Sequence, residues 1–171
     1  QPMPDPHDDV APRPLDIRPL AARKNLVHKD DFAEVLPPVE GFLKWFDALP
    51  DIYGSKSLKH VVSEVVTARE RGKEVGVQLG AHVLKVGLSP LIIDLMRRGL
   101  ITHVATNGAS AIHDWETAYQ GATSEDVAEN LPDGSFGMWR ETLSAMSGAA
   151  TRAQDEGIGL GAAIGQTILD D

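Results

Sequence analysis

A chain of 171 residues that is 42% hydrophobic and 24% charged has the length and balance of one ordinary globular domain, which excludes wholesale disorder and collagen or coiled-coil architectures. Lys and Arg number 16 against 25 Asp and Glu, a net charge of -9, which argues against counterion-release binding to nucleic acid or an anionic membrane. Cysteine is absent, which removes disulfides, thiolate metal sites and a catalytic thiol. Apolar runs such as Leu91–Ile93 fall far short of the ~20 residues of a membrane span. The Pro- and Asp-rich start at Gln1 has neither the basic nor the apolar segment of a secretory leader, and the cytoplasm is the expected location.

Six of the 11 prolines fall within residues 1–20, which predicts an extended or disordered arm followed by a folded domain over residues 21–171. Val39, Phe42, Leu43 and Phe46, set between Pro38 and Pro50, predict a short helix. Leu58, Val61, Val62, Val65 and Val66 repeat at helical spacing, and predict a helix over residues 57–71, capped by Ser57 and ended by Gly72. The run Val75–Leu79 reads as a buried strand. Ser89 and Pro90 open a helix as N-cap and first residue, and Gly99 closes it.

Ile101–Thr106 follows as a second strand, with His103 read as a hydrogen-bonded core histidine, and Asn107–Ser110 turns the chain into a helix over about Ala111 to Gln120. Thr123, Ser124, Glu125 and Asp126 have the pattern of a capping box, and a last helix is expected from about Phe136 to Gln154. Gly157, Gly159 and Gly161 follow a helix rather than a strand, which is the wrong context for a dinucleotide fingerprint and reads as helix packing. Strand, helix, strand, helix with short links defines an α/β fold: a Rossmann-like, mostly parallel sheet flanked by helices. Two strands are too few for such a sheet. Either further strands lie near Ile17 or Val35, or the chain is an incomplete half of a larger domain, covered by a further half or by partner subunits in a homo-oligomer.

Ligands of open α/β sheets bind beyond the carboxyl ends of the strands. Two segments hold that position here. Gly80, His82 and Lys85 belong to the first, and Thr106, Asn107, Gly108 and Ala109 to the second. Small residues let a ligand approach the backbone, Thr106 and Asn107 offer hydrogen bonds, and Lys85 offers a cation. His113 and Asp114, with Glu116 close by, are the acid–base candidates, the null being that acidic residues favour helix starts with no function attached. No Walker loop, nucleophile elbow or zinc-protease helix motif occurs.

The run from Gly80 to Pro90, then Ala105–Ala109, Ile112–Glu116 and Thr123–Asp126, resembles an uncharacterised bacterial family of deoxyhypusine-synthase-like proteins over roughly residues 20–170. The resemblance implies a Rossmann-like NAD-binding fold, assembly with sites at subunit interfaces, and a chain about twice this length of which this is the N-terminal half. It implies that Thr106, Asn107, Gly108 and Ala109, with the segment around His82, line NAD or a related nucleotide in an NAD-dependent transferase-like setting; Gly80 joins them by its place at the strand end, and Lys85, His113 and Asp114 stay the catalytic candidates that the residues themselves offer. Asn107 stands where deoxyhypusine synthase has a second Thr, and His113 where it has Glu. Two other classes stay open: a non-catalytic oligomerisation or regulatory domain, and a His/Asp metal-dependent hydrolase.

Overall fold

The computed structural model describes residues 15–170; of the arm expected over residues 1–20, residues 1–14 lie outside the described residues. From Arg18 onward the chain is already packed: the Arg18 N–H donates to Met138 O (2.8 Å) and its carbonyl accepts from Arg140 N (2.8 Å). Leu20, in a short 3-10 turn, is fully buried. Residues 18–20 therefore belong to the packed chain rather than to an arm, because Leu20 supplies apolar area to the core that an extended tail would leave in water.

The elements are β1 (Asn25–His28), α1 (Glu40–Asp47), α2 (Tyr53–Glu70), β2 (Gly76–Gln78), α3 (Ala81–Lys85), α4 (Ser89–Arg97), β3 (His103–Ala105), α5 (Gly108–Gln120), β4 (Ala122–Glu125), α6 (Val127–Asn130), α7 (Arg140–Glu156) and α8 (Leu160–Asp170). The fold is α/β. Its strands form two separate pairs. β2 and β3 are parallel, with Gly76 beside His103, Val77 beside Val104 and Gln78 beside Ala105, and α3 and α4 make the crossover. β1 and β4 are antiparallel, with Asn25 opposite Glu125 and Val27 opposite Thr123. Among the described residues the sheet is thus half parallel rather than mostly parallel.

Several boundaries differ from the sequence expectation for identifiable reasons. Residues 122–125 are a strand, and Asp126 alone caps α6, its Oδ1 accepting from Ala128 N (2.9 Å) and Glu129 N (3.3 Å). A Thr-Ser pair serves a cap or a strand edge equally well, and pairing with β1 decides it. The helix expected from Ser57 starts at Tyr53; Ser55, not Ser57, ties its entry, donating to the carbonyls of Pro50 and of Ile52 (2.8 Å). Leu88, not Ser89, is the N-cap of α4. The last long helix begins at Arg140 rather than Phe136, because the preceding residues bridge back to Arg18. The first strand-end segment is not a loop but α3, whose end at Gly87 takes φ +85 with Phe32 Cα 2.9 Å from where a Cβ would stand. His103 is exposed, not a core residue.

Leu20, Trp115 and Trp139 form the core, with Ala145, Met146 and Ile168 against them. α7 and α8 lie against α5 on this side. Gly161 and Gly165 of α8 do not close a tight helix contact: a Cβ on either would meet nothing within 4 Å, and together with Leu84, Ser110 and Asp114 they line a recess of about 170 Å³.

Candidate functional site

The carboxyl ends of β2 and β3 adjoin. Leu79 N donates to Ala105 O (3.1 Å), and the Thr106 hydroxyl donates to Leu79 O (3.0 Å) while also hydrogen-bonded to Ser110 Oγ. Asn107 is the N-cap of α5: its Oδ1 accepts from Ser110 N (3.1 Å) and Ser110 Oγ (3.2 Å). These bonds fix the turn as a rigid platform at a helix start, where free N–H groups favour anions. Gln78, Leu79, Gly80, Ala105, Thr106 and Asn107 enclose an open cleft of about 400 Å³ above the strand ends. Gly80 and Gly108 have ordinary negative φ and open space where a side chain would project.

The other face of α5 holds a more enclosed cavity of about 310 Å³, walled in part by Lys85, Ala109, His113, Glu116, Ser124 and Trp139. Behind it lies a buried ion pair. The Arg23 guanidinium donates Nη1 to Glu116 Oε1 (2.8 Å) and Nη2 to Oε2 (2.7 Å), a bidentate arrangement with both residues almost wholly excluded from solvent. Thr142 Oγ1 donates to Glu116 Oε1 (2.9 Å) and Thr123 Oγ1 to Oε2 (2.6 Å), while Arg23 Nε donates to Asn25 Oδ1 (2.8 Å). Four donors surround one carboxylate. That density of bonds is what allows a charge pair to be buried without an unsatisfied group.

His113 joins this network through Nδ1, 2.7 Å from Thr123 Oγ1. The single Thr123 hydroxyl proton is given to Glu116, so the hydroxyl accepts from His113, and Nδ1 carries the hydrogen. The neutral ring is thereby fixed with its lone pair on Nε2. Burial lowers the His113 pKa, and Lys85, Arg23 and His82 add to the effect against the pull of Glu116. Ser124, buried beside it, is held at φ +68, a left-handed backbone that costs a non-glycine residue about 1–3 kcal/mol and recurs at functional sites. Trp139 Nε1 is buried with no hydrogen-bond partner, and the Arg23 guanidinium stacks 5.6 Å from the Trp139 ring centre.

The structure distributes the expected site residues over three places. Gly80, Thr106 and Asn107 line the strand-end cleft, with Gly108 opening α5 beside it. Lys85, Ala109 and His113 line the enclosed cavity, with His82 exposed near His113. Asp114 lies on the α8 side of α5, in the recess, where desolvation raises its carboxyl pKa. His113 and Asp114 thus face different cavities, as successive helical residues must. Both sit in the second turn of a helix that starts at Gly108, beyond reach of the electrostatic preference for acidic residues at helix starts. Sequence reasoning missed Arg23, Thr123, Thr142 and Trp139. The one local signal was the His113/Glu116 spacing of three, which puts both on one helix face.

A parallel strand pair with helices following its carboxyl ends defines an α/β domain, and the cleft at those ends and the histidine-bearing cavity beside α5 are its candidate sites. Over 67 residues, 39% of this chain, the sequence is 30% identical to the ornithine cyclodeaminase of Methanothermobacter thermautotrophicus, and the matched stretch spans 16% of that relative. No family model and no solved structure matches the chain.

Proposed function

We propose that this chain is a Rossmann-like domain that binds NAD or a related nucleotide across the carboxyl ends of β2 and β3. One observation carries the reading: adjacent parallel strands each pass directly into a helix, and their ends frame an open cleft floored by Gly80, Thr106 and Asn107. The phosphates would meet the N–H groups opening α5 at Gly108 and Ala109, and Asn107 Nδ2 would donate to the ligand, its Oδ1 being committed to the cap. The resemblance to deoxyhypusine-synthase-like proteins favours NAD among nucleotides, and the partial similarity to ornithine cyclodeaminase supports an enzymatic setting.

Calorimetric titration of the full chain with NAD, ADP-ribose and ATP tests the reading. Binding by the wild type, abolished in Gly108→Val with an unchanged melting temperature, is the expected result; Gly108 does not take a positive φ and a Cβ there meets nothing. A folded wild-type chain that takes up none of the three overturns it. A second reading, an oligomerisation domain, is favoured by α1, α2 and α4, none of which buries a residue. The hydrolase reading gains no such support: among the described residues no group of three His, Asp or Glu side chains could hold a metal ion.

A further inference from the structure

The enclosed cavity behind α5 is distinct from the strand-end cleft, and its wall has a particular chemistry. Arg23 is turned away from a ligand: its side chain is almost wholly buried, three of its five guanidinium N–H groups go to Asn25 and Glu116, and its charge is balanced by Glu116. Glu125 is likewise engaged, accepting from Gly137 N (2.8 Å) and Asn130 Nδ2 (3.1 Å). Lys85 has neither an ion pair nor a hydrogen bond among the described residues, and its charge is felt at His113. Ile112, Val127, Phe136 and Trp139 give the rest of the wall an apolar character. At about 310 Å³ the space lies at the small end of metabolite sites, which begin near 300 Å³.

One available cation, one oriented acceptor and an apolar wall specify a ligand. A dianionic phosphate would find one positive partner where it needs several donors. A monoanion with a short hydrocarbon body fits both the charge and the size. His113 belongs to the cavity wall and Thr123 does not, so the bond between them engages the ring edge that holds Nδ1 and leaves Nε2 for a bound molecule.

We propose that this cavity binds a small hydroxycarboxylate: its carboxylate pairs with Lys85, its hydroxyl donates to His113 Nε2, and Thr123, Glu116 and Arg23 are positioning residues that keep the ring proton on Nδ1 and Nε2 free to accept. No bond to carbon is made or broken in this binding step. The titratable and charged groups around the imidazole and the cavity it lines are Glu116 on its own helix, Lys85 and His82 on α3, Arg23 before β1 and Glu125 of β4.

Long-range proton–nitrogen NMR of the full chain, with His113 assigned by His113→Gln, reads the arrangement directly. The ring should be in its Nδ1–H form in the wild type and in Thr123→Ser, and move toward Nε2–H in Thr123→Val. The probe is 2-hydroxybutyrate, with butyrate and 1,2-butanediol as arms lacking the hydroxyl acid pair. 2-Hydroxybutyrate should shift the His113 ring nitrogens and bind more tightly than either arm, and Lys85→Met should weaken it at least about tenfold, the loss of one charge-assisted bond. An Nε2–H ring in the wild type, equal binding of 1,2-butanediol, or unchanged affinity in Lys85→Met overturns the proposal. None of these readouts involves the strand-end cleft, so failure here leaves nucleotide binding at Gly108 to stand or fall separately.

Discussion

Two regions of this molecule solve the problem of burial in opposite ways. Around β1, β4, α5, α7 and α8 the chain closes on itself: Leu20, Trp115, Trp139, Ala149 and Ala163 are buried there, and the enclosed Arg23–Glu116 pair is fully hydrogen-bonded. Around β2 and β3 it does not. α1, α2 and α4 carry strong apolar stripes, yet Phe42, Trp45, Leu58 and Val61 remain about half exposed or more. The helices form in both regions because periodicity and capping are local, whereas burial needs a partner surface. Exposed apolar stripes are what interaction sites present. The first region is thus closed by its own side chains, while the stripes of the second stay exposed.

The largest effect is expected where the closed region holds its charges. Glu116→Ala leaves the Arg23 guanidinium buried without its counter-charge and strips Thr123 and Thr142 of their acceptor, and should cost about 3–5 kcal/mol in urea denaturation. The paired change Arg23→Met with Glu116→Leu should recover most of that loss, since removing both charges removes the desolvation penalty. A single Glu116→Ala no less stable than wild type would show that the pair is not what closes this region.

The two regions meet at Gly87, where Ala33 N donates to its carbonyl (2.9 Å) and Phe32 packs against its Cα. Gly87→Ala forces a side chain into a left-handed backbone and onto Phe32, and should cost about 1–3 kcal/mol. Hydrogen exchange should report the loss on both sides of the junction; loss confined to α3 would mean that the regions are not coupled there.

What could be read from sequence follows the same division. α2 and α4 were legible within a few residues, and so were β2 and β3, because their apolar spacing and their Gly and Pro punctuation are contained in the segment itself. β1 and β4 were not. Asn25–His28 is four residues with a polar residue at each end, and Thr123–Ser124 reads as a cap; each becomes a strand only through the other, about 100 residues away. Gly80, Thr106 and Asn107 could be placed together by the rule that ligands gather at strand ends, but the network behind His113 joins residues 23, 116, 123 and 142, whose side chains carry no mutual signal until the fold brings them together.

Smaller effects sharpen the comparison at the boundary helix α5. Asn107→Ala removes the acceptor for Ser110 N and should cost about 1 kcal/mol of stability, with a further loss of about 1–2 kcal/mol in nucleotide affinity through its amide. Asn107→Ser keeps a capping oxygen and loses the amide without adding a charge, so thermal melts and titration on the two variants separate structure from binding. His113 gives a pH test on the same helix. Its folded pKa lies below the ordinary value near 6.5, so below that value the unfolded chain binds more protons than the folded one, and stability falls as pH drops through that range. His113→Gln should flatten this part of the stability curve; an unchanged slope would assign it to another group.

The smallest change in stability is expected on the open face. Val61 and Val62 of α2 are exposed to 58% and 42%, so Val61→Ser with Val62→Ser should move the unfolding free energy of the isolated chain by no more than about 0.5 kcal/mol, as surface substitutions do. Self-association should respond very differently. If a second copy covers α2, each valine contributes buried area only in the assembly, and sedimentation equilibrium should show the variant dissociating at concentrations where the wild type is associated. The same substitutions in a buried helix would have cost several times more in the monomer, which makes the ratio of the two effects the measurement that matters. A stability loss above 1 kcal/mol with unchanged association would show that α2 is covered within its own chain, and the contrast between a closed and an open region would disappear.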